Sequence, residues 1–278
     1  MSPPRLPVRR VHFEYPDDLD PAWNRRFPEF AFAANSVSLI MPYAEPYFVK
    51  SVRSALPDLD PALTVRTEDY LRQELGHHVQ HRRFNDVIGH HYPKILRIES
   101  WMRRTYGWLS RTRSQRFNLA FAAGSETIAY AIARWTDTHL GELYDGADPV
   151  AATMFLWHLA EEVEHKSVAF DVYAEIDGSR WRYFRAMSLS FVILACFTII
   201  ATISMLRAEH RFWRPATWIH LIKWSMSLSF EILPDMLVSA MPGHHPDDFT
   251  DPALLSSWLG YFDPDTGTLP VWTPGIHE

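Results

Sequence analysis

Two segments of this chain carry the same pattern of acid and imidazole. In "QELGHHVQHRRFN" a Glu-x-x-His runs from Glu74 to His77, and in "HLAEEVEHK" a second runs from Glu162 to His165. Each follows an apolar segment that holds a single acid, Glu45 in "LIMPYAEPYF" and Glu126 in "LAFAAGSETIAYAIA". The flanks of the second, "MFLW" and "VAF", read as core. An unpaired ion in such a setting costs roughly several kcal/mol, so the fold must bring these acids a strong partner. At about 100° per residue, His158, Glu162 and His165 fall within roughly 60° of one another on a helix, with Glu161 to one side and Glu164 pointing away. Glu74, His77, His78, His81 and Asn85 share a second stripe by the same spacing. The separations 45 to 74 and 126 to 162 are comparable, so the pattern is a twofold repetition.

The rest of the chain is compatible with one fold class. Apolar residues recur at helical spacing through "EFAFAANSVSLIMPYAEPYFVKSVRSAL", "TVRTEDYLRQELGHHVQHRRFNDVI", "YPKILRIESWMRRTYGWL", "SRTRSQRFNLAFAAGSETIAYAIARWTDTHL" and "DPVAATMFLWHLAEEVEHKSVAFDVYAEI", and no alternating strand pattern of useful length occurs. Pro42 and Pro46 predict a kink around Glu45. Thr64 or Thr67 is the expected cap of the second helix, and Asp148 with Pro149 opens the last. Residues 1–27, rich in proline and charge, read as an arm without core; 28–178 read as the bundle; 242–278 read as a Pro/Asp-rich tail folded over the surface. Between them, 179–241 reads as a hydrophobic helical hairpin. "MSLSFVILACFTIIATISML", 187–206, carries no charge, and twenty helical residues span about 30 Å, the hydrocarbon thickness of a bilayer. The following apolar stretch holds His220, Lys223, Glu231 and Asp235, so it is a poor solitary span and suits an interfacial or returning arm. Arginines flank 187–206 at both ends and set no orientation.

Composition removes several classes. With 27 basic and 33 acidic residues, net −6, and no basic run interleaved with aromatics, nucleic acid is not an expected partner. The single cysteine, Cys196, allows neither a disulfide framework nor a thiolate metal site and fits a reducing, intracellular compartment. No apolar run stands at the N-terminus, so no signal peptide is expected.

Two helices giving one Glu each and two giving Glu-x-x-His, all facing inward, is the ligand arrangement of di-iron and di-manganese carboxylate bundles. The chemistry explains the residue types: four carboxylates neutralise two divalent ions and can bridge them, while imidazoles fill terminal positions. Each part alone has a plainer reading. Glu74 and His77 could be a solvated face beside Arg72, Arg82 and Arg83; Glu126 could pair with Arg134; His158 could be an ordinary core histidine. The joint pattern favours a dinuclear metal cage of Glu45, Glu74, His77, Glu126, Glu162 and His165. Geometry does not separate His77 from His78, and the match in spacing to His165 favours His77. His81, Asn85 and Asp171 are candidates to hydrogen-bond and orient the ligating imidazoles, and Glu161 is either such a partner or an alternative ligand.

"ELGHHVQHRRFN", "HLAEEVEHKSVAFDVY", "MPYAEPYFVKSVR" and "PGHHPDD" together resemble the bacterial family named predicted metal-dependent hydrolases, over most of residues 30 to 250. His158-x-x-x-Glu162-x-x-His165 is also similar to the ligand helix of ferritin-like di-iron enzymes of the p-aminobenzoate N-oxygenase type. That likeness implies a seventh ligand, His158, with Glu45 and Glu126 as terminal carboxylates and Glu74 and Glu162 as bridging ones. The zinc-hydrolase signatures His-Glu-x-x-His and His-x-x-Glu-His are missing, as is any His-Asp dipeptide.

The expectation is therefore an all-α, ferritin-like four-helix bundle with additional C-terminal hydrophobic helices, holding two metal ions: iron, with manganese or zinc as alternatives. The leading expected activity is an O2-dependent oxidase, oxygenase or desaturase that acts on an apolar small molecule and needs an electron donor. The alternatives are a dinuclear metal-dependent hydrolase and a non-catalytic metal-binding membrane protein. Membrane contact through 187–241 on the cytoplasmic side is expected, and a homodimer is compatible with the sequence.

Overall fold

The computed structural model describes residues 5–252 and 257–272. Among them run α1 (Pro28–Ser38), α2 (Met41–Arg53), α3 (Pro61–His91), α4 (Ile95–Thr112), α5 (Gln115–Thr138), α6 (Leu140–Leu143), α7 (Pro149–His165), α8 (Val168–Ile176), α9 (Arg180–Ala208) and α10 (Pro215–Ser239), with two isolated bridges and no strand. This is the all-α bundle that the periodicity predicts.

The helices that carry the two Glu-x-x-His segments start alike. Asp60 accepts from the Ala62 and Leu63 N–H groups at 2.7 and 3.0 Å, and Pro61 occupies the first turn. Asp148 accepts from Val150 and Ala151 at 2.9 and 3.1 Å, with Pro149 in the same place. An Asp cap satisfies orphan N–H groups, and a proline there has no N–H to lose. The Asp-Pro start therefore displaces the predicted Thr64 or Thr67 cap; Thr64 Oγ1 instead donates to the Asp60 carbonyl at 2.8 Å. The predicted break at Glu45 also moves. Pro42 falls in the first turn of α2, where its missing N–H costs nothing, and α1 closes earlier, with the Ile40 N–H on the Val37 carbonyl at 2.9 Å. Glu45 thus sits on an uninterrupted helix that contains Pro46. The last predicted helix divides after His165, where buried Lys166 donates to the Phe249 carbonyl at 3.1 Å and pairs with Asp251.

Helix α5 lies at the centre, against α2, α7, α8, α9 and α10. Its contact with α9 depends on Gly124: a Cβ there would lie 2.5 Å from the Met187 Cβ and 2.7 Å from its Cα. Backbone must move to admit it, and overpacking of this kind costs about 1–3 kcal/mol. Gly124→Ala is therefore expected to lower Tm by several degrees in a thermal melt; an unchanged Tm would mean that α5 and α9 do not approach so closely.

The arm departs from its expectation. Val11, Phe13, Leu19 and Trp23 are buried, Phe13 meets Trp157 edge-on at 5.5 Å between centroids, and the Trp23 indole N–H donates to Asn35 Oδ1 at 2.8 Å. An extended strap has no helical period, so its apolar residues carried no pattern to read. The tail also inserts side chains: Trp258 and Leu269 are buried, and the Trp272 N–H donates to Thr153 Oγ1 at 2.8 Å. Residues 1–4 of the arm and 253–256 and 273–278 of the tail lie outside the described residues.

Candidate metal centre

Helices α2, α3, α5 and α7 turn their acids and imidazoles toward one point in the core. One donor atom from each of Glu74, His77, Glu162 and His165 lies within 4.8 Å of the other three, and the same holds among Glu45, His81 and His158. The two groups touch through Glu162, whose Oε1 is 2.8 Å from His158 Nε2 and 3.6 Å from His77 Nδ1. Glu126 stands beside the first group, with Oε2 3.0 Å from His165 Nδ1. All eight residues are buried. Of the paired alternatives, Arg134 does not meet Glu126; it pairs with Glu231 at 3.3 Å and Asp235 at 2.8 Å.

The surrounding groups fix the imidazoles. His77 Nε2 lies 3.0 Å from Glu161 Oε2, Glu161 is held by Arg9 at 3.3 Å, and Arg9 also grips Glu164 at 2.7 and 2.8 Å. With Nε2–H donated to Glu161, His77 presents Nδ1 to Glu74 and Glu162, each 3.6 Å away. His78, its sequence rival, is only half-buried and belongs to neither group. The Ser38 hydroxyl donates to Asn85 Oδ1 at 2.7 Å and lies 2.8 Å from His81 Nδ1. One hydroxyl proton serves one acceptor, so His81 Nδ1–H donates to Ser38 and Nε2 keeps its lone pair. Asn85 thus orients His81 through Ser38, whereas His81, expected to orient other imidazoles, itself stands in the wall of the cage. Asp171 is corrected: it pairs with Arg66 at 3.3 Å and His245 at 2.7 Å and orients no cage imidazole. It stands on α8, beyond the end of α7, and faces α3 and the tail there.

One contact escaped the sequence reading. The Tyr70 hydroxyl donates to Glu126 Oε1 at 2.8 Å. Tyr70, Glu74, His77 and His81 follow one stripe of α3, so extending the stripe one turn back would have found it. Arg9 and Ser38 left no comparable signal.

Burial and mutual repulsion set the charges. Burial, and next the Glu74 carboxylate, push Glu45 well above the usual carboxylate range; burial and Glu126 raise Glu74; burial, Glu126 and Glu74 raise Glu162 well above it. Burial works against the His77 cation, yet its bond to Glu161 and the nearby Glu74 carboxylate lift it to about 10. Burial likewise opposes the raised His165, which Glu126 sustains. His158 and His81 fall well below the ordinary value through burial and the neighbouring imidazoles.

The fit of this cage to metal can be judged from its own atoms. Glu45 Oε1 and Oε2, Glu74 Oε1, Glu126 Oε2, His77 Nδ1 and both nitrogens of His165 are buried without a hydrogen-bond partner. Orphaned polar atoms at this density are rare in a core, and cations shared among them would satisfy the set. Oxygen and imidazole donors without thiolate suit iron, manganese or zinc. Because Glu161 both orients His77 and balances its charge, Glu161→Gln is expected to weaken metal binding about 10–100-fold, read by competition with a chelator. An unchanged affinity would mean that His77 is not held through Glu161.

A cavity of about 270 Å³ opens beside the cage, with Glu45, Glu126, His158 and Glu162 in its wall and apolar side chains such as Phe48, Ile132, Leu194 and Leu228 elsewhere. Residues 7–249 match the family model described as predicted metal-dependent hydrolase. No curated protein and no solved structure matches the chain.

Proposed function

The chain belongs to the predicted metal-dependent hydrolase family, and we propose that it is a dinuclear metallohydrolase acting on an apolar small molecule with an ester- or amide-type bond. Its proposed ligands are Glu45, Glu74, His77, Glu126, His158, Glu162 and His165, with His81 as a further nitrogen donor. The observation that carries the reading is the placement of the cage: Glu45, Glu74, His81, Glu126, His158 and Glu162 all stand in the wall of a mostly apolar cavity. The family description favours hydrolysis over the oxygen-dependent reading suggested by the ligand helix.

Two divalent ions held there would polarise the scissile carbonyl and lower the pKa of a water. The chain's own part is positional. Arg9 and Glu161 hold His77, Ser38 and Asn85 hold His81, and Tyr70 holds Glu126. The apolar wall excludes bulk water and aligns the hydrocarbon part of a substrate.

A second reading, O2-dependent oxidation, is favoured by one specific feature. The donor set is rich in carboxylates, and a buried phenol, Tyr70, donates directly to Glu126. The readings separate in one experiment: load the protein with Fe(II), Mn(II) or Zn(II), then follow p-nitrophenyl acyl ester hydrolysis and oxygen consumption side by side. Hydrolysis predicts metal-dependent ester turnover without oxygen uptake. Oxygen uptake by the Fe(II) form, with no ester turnover under any metal, would replace it with the oxidative reading.

A further inference from the structure

The charges that made the second apolar stretch a poor membrane span are all paired with side chains of the bundle, Lys223 from the exposed edge of the helix. On α10, His220 pairs with Glu29, Lys223 reaches Glu142 at 2.6 Å, and Glu231 and Asp235 bind Arg134. What remains on the other side is one stripe: Ile219, Ile222, Met226, Phe230, Leu233 and Leu237, all exposed, with Phe230 at 75%. Helix α9 continues this surface with Val192, Cys196, Ile199 and Ile200, and only 33% of its most apolar window is buried. A monomeric protein does not ordinarily leave so continuous an apolar face in water.

Its rim has the chemistry of a lipid boundary. At the tip of the hairpin stand Arg207, Arg211, Arg214 and Trp213, the last 87% exposed; at the opposite end stand Arg185 and Trp181, 68% exposed. Tryptophan at the edge of an apolar band, with cations able to meet phosphates, is the pattern of an interfacial surface. The face also opens inward. A groove between α9 and α10, lined by Ile203, Trp218, Met226 and Phe230, shares Ala33, Thr198, Leu221 and Ser225 with the cavity that reaches the cage. A second copy of the chain seated on this face would seal the groove, whereas a lipid phase would feed it.

We propose that the outer face of α9 and α10 seats on an anionic lipid bilayer, lying in its interface rather than crossing it, and that the substrate is a long-chain acyl compound passing between the two helices toward the cage. The substrate part rests on the proposed function; the seating does not.

Flotation of the full-length protein with vesicles of phosphatidylcholine and phosphatidylglycerol tests the surface. The wild type is expected to float with them, and Ile222→Glu/Phe230→Glu to lose more than about tenfold in partitioning. Leu96→Glu, an equally exposed apolar position on α4, is expected to float as the wild type does. A wild type that stays in the dense fraction, or a double variant that floats unchanged, overturns the proposal. So does a wild-type dimer in vesicle-free buffer that the double variant converts to monomer, since the face would then hold a second copy. For the passage, Ala33→Trp is expected to abolish binding of spin-labelled stearic acid while leaving flotation and metal content unchanged; equal binding would overturn it. Neither readout needs turnover, so failure here is distinguishable from failure of the hydrolytic reading.

Discussion

Removing metal with a chelator is expected to lower Tm on the order of 15 °C at neutral pH, and by more at pH 9. At about a thousandfold excess over Kd, each ion contributes ~4 kcal/mol to the folded state, and a chain of this size loses about 2 °C per kcal/mol. The pH dependence follows from the cage. Glu45, Glu74 and Glu162 have folded pKa values raised above the unfolded ones, so their burial is harmless at low pH and increasingly unfavourable as pH rises past the ordinary carboxylate range. His77 and His165 are raised too; their contribution is complete below the unfolded value and is lost as pH climbs through the folded one, about 10 for His77. His81 and His158 are lowered, so they oppose folding only when pH falls below the ordinary histidine value. Between pH 7 and 9 every active contribution has one sign, and metal-free stability should fall. Metal displaces those protons, so its affinity rises over the same interval and the two melting curves diverge. Melts at pH 7 and 9, with and without chelator, check this; coincident curves would remove metal from the account of the cage.

Glu162→Ala is expected to lower metal content from two ions to fewer than one per chain and to reduce metal-dependent turnover to background. The reason is its position between the two groups, 2.8 Å from His158, 3.6 Å from His77 and 3.9 Å from His165. Its loss takes a donor from both. Glu162→Gln separates this role from packing, because it keeps the volume and removes the charge. Metal-free Glu162→Gln should be at least as stable as the metal-free wild type at pH 8, since a carboxyl strongly disfavoured as an anion is gone, yet it should bind metal poorly. A variant destabilised equally with and without metal, or one that retains two ions, would refute the assignment. Metal analysis and paired melts give the answer.

Much of the candidate site was legible because helical geometry is local. Spacing alone predicted that His158, Glu162 and His165 point one way and that Glu74 and His77 do so on another helix, and the structure places them together. The Asp-Pro starts at Asp60 and Asp148 were equally visible, though only the second was read as a cap. His81, expected to orient other imidazoles, lies beside Glu45 and His158, because a stripe gives direction around a helix and not distance from a neighbouring one. Asp171 lies on α8, beyond the end of α7, where it faces Arg66 and His245 instead of the cage. Arg9, reaching Glu161 from more than 150 residues away in sequence, left no trace in any periodicity.

The sequence by itself determined the helical class, the direction of each ligand-capable side chain on its own helix, and the requirement that buried acids share a strong partner. Only the tertiary structure decided which imidazoles meet, how Glu161 and Ser38 orient them, and that the charges of α10 pair with the bundle beside an apolar outer face. The physical reason is the range of the forces concerned. Backbone hydrogen bonding repeats every turn and is written in local spacing. The approach of one helix to another depends on contacts such as Gly124 against Met187 and on straps from the chain ends, which no local period encodes.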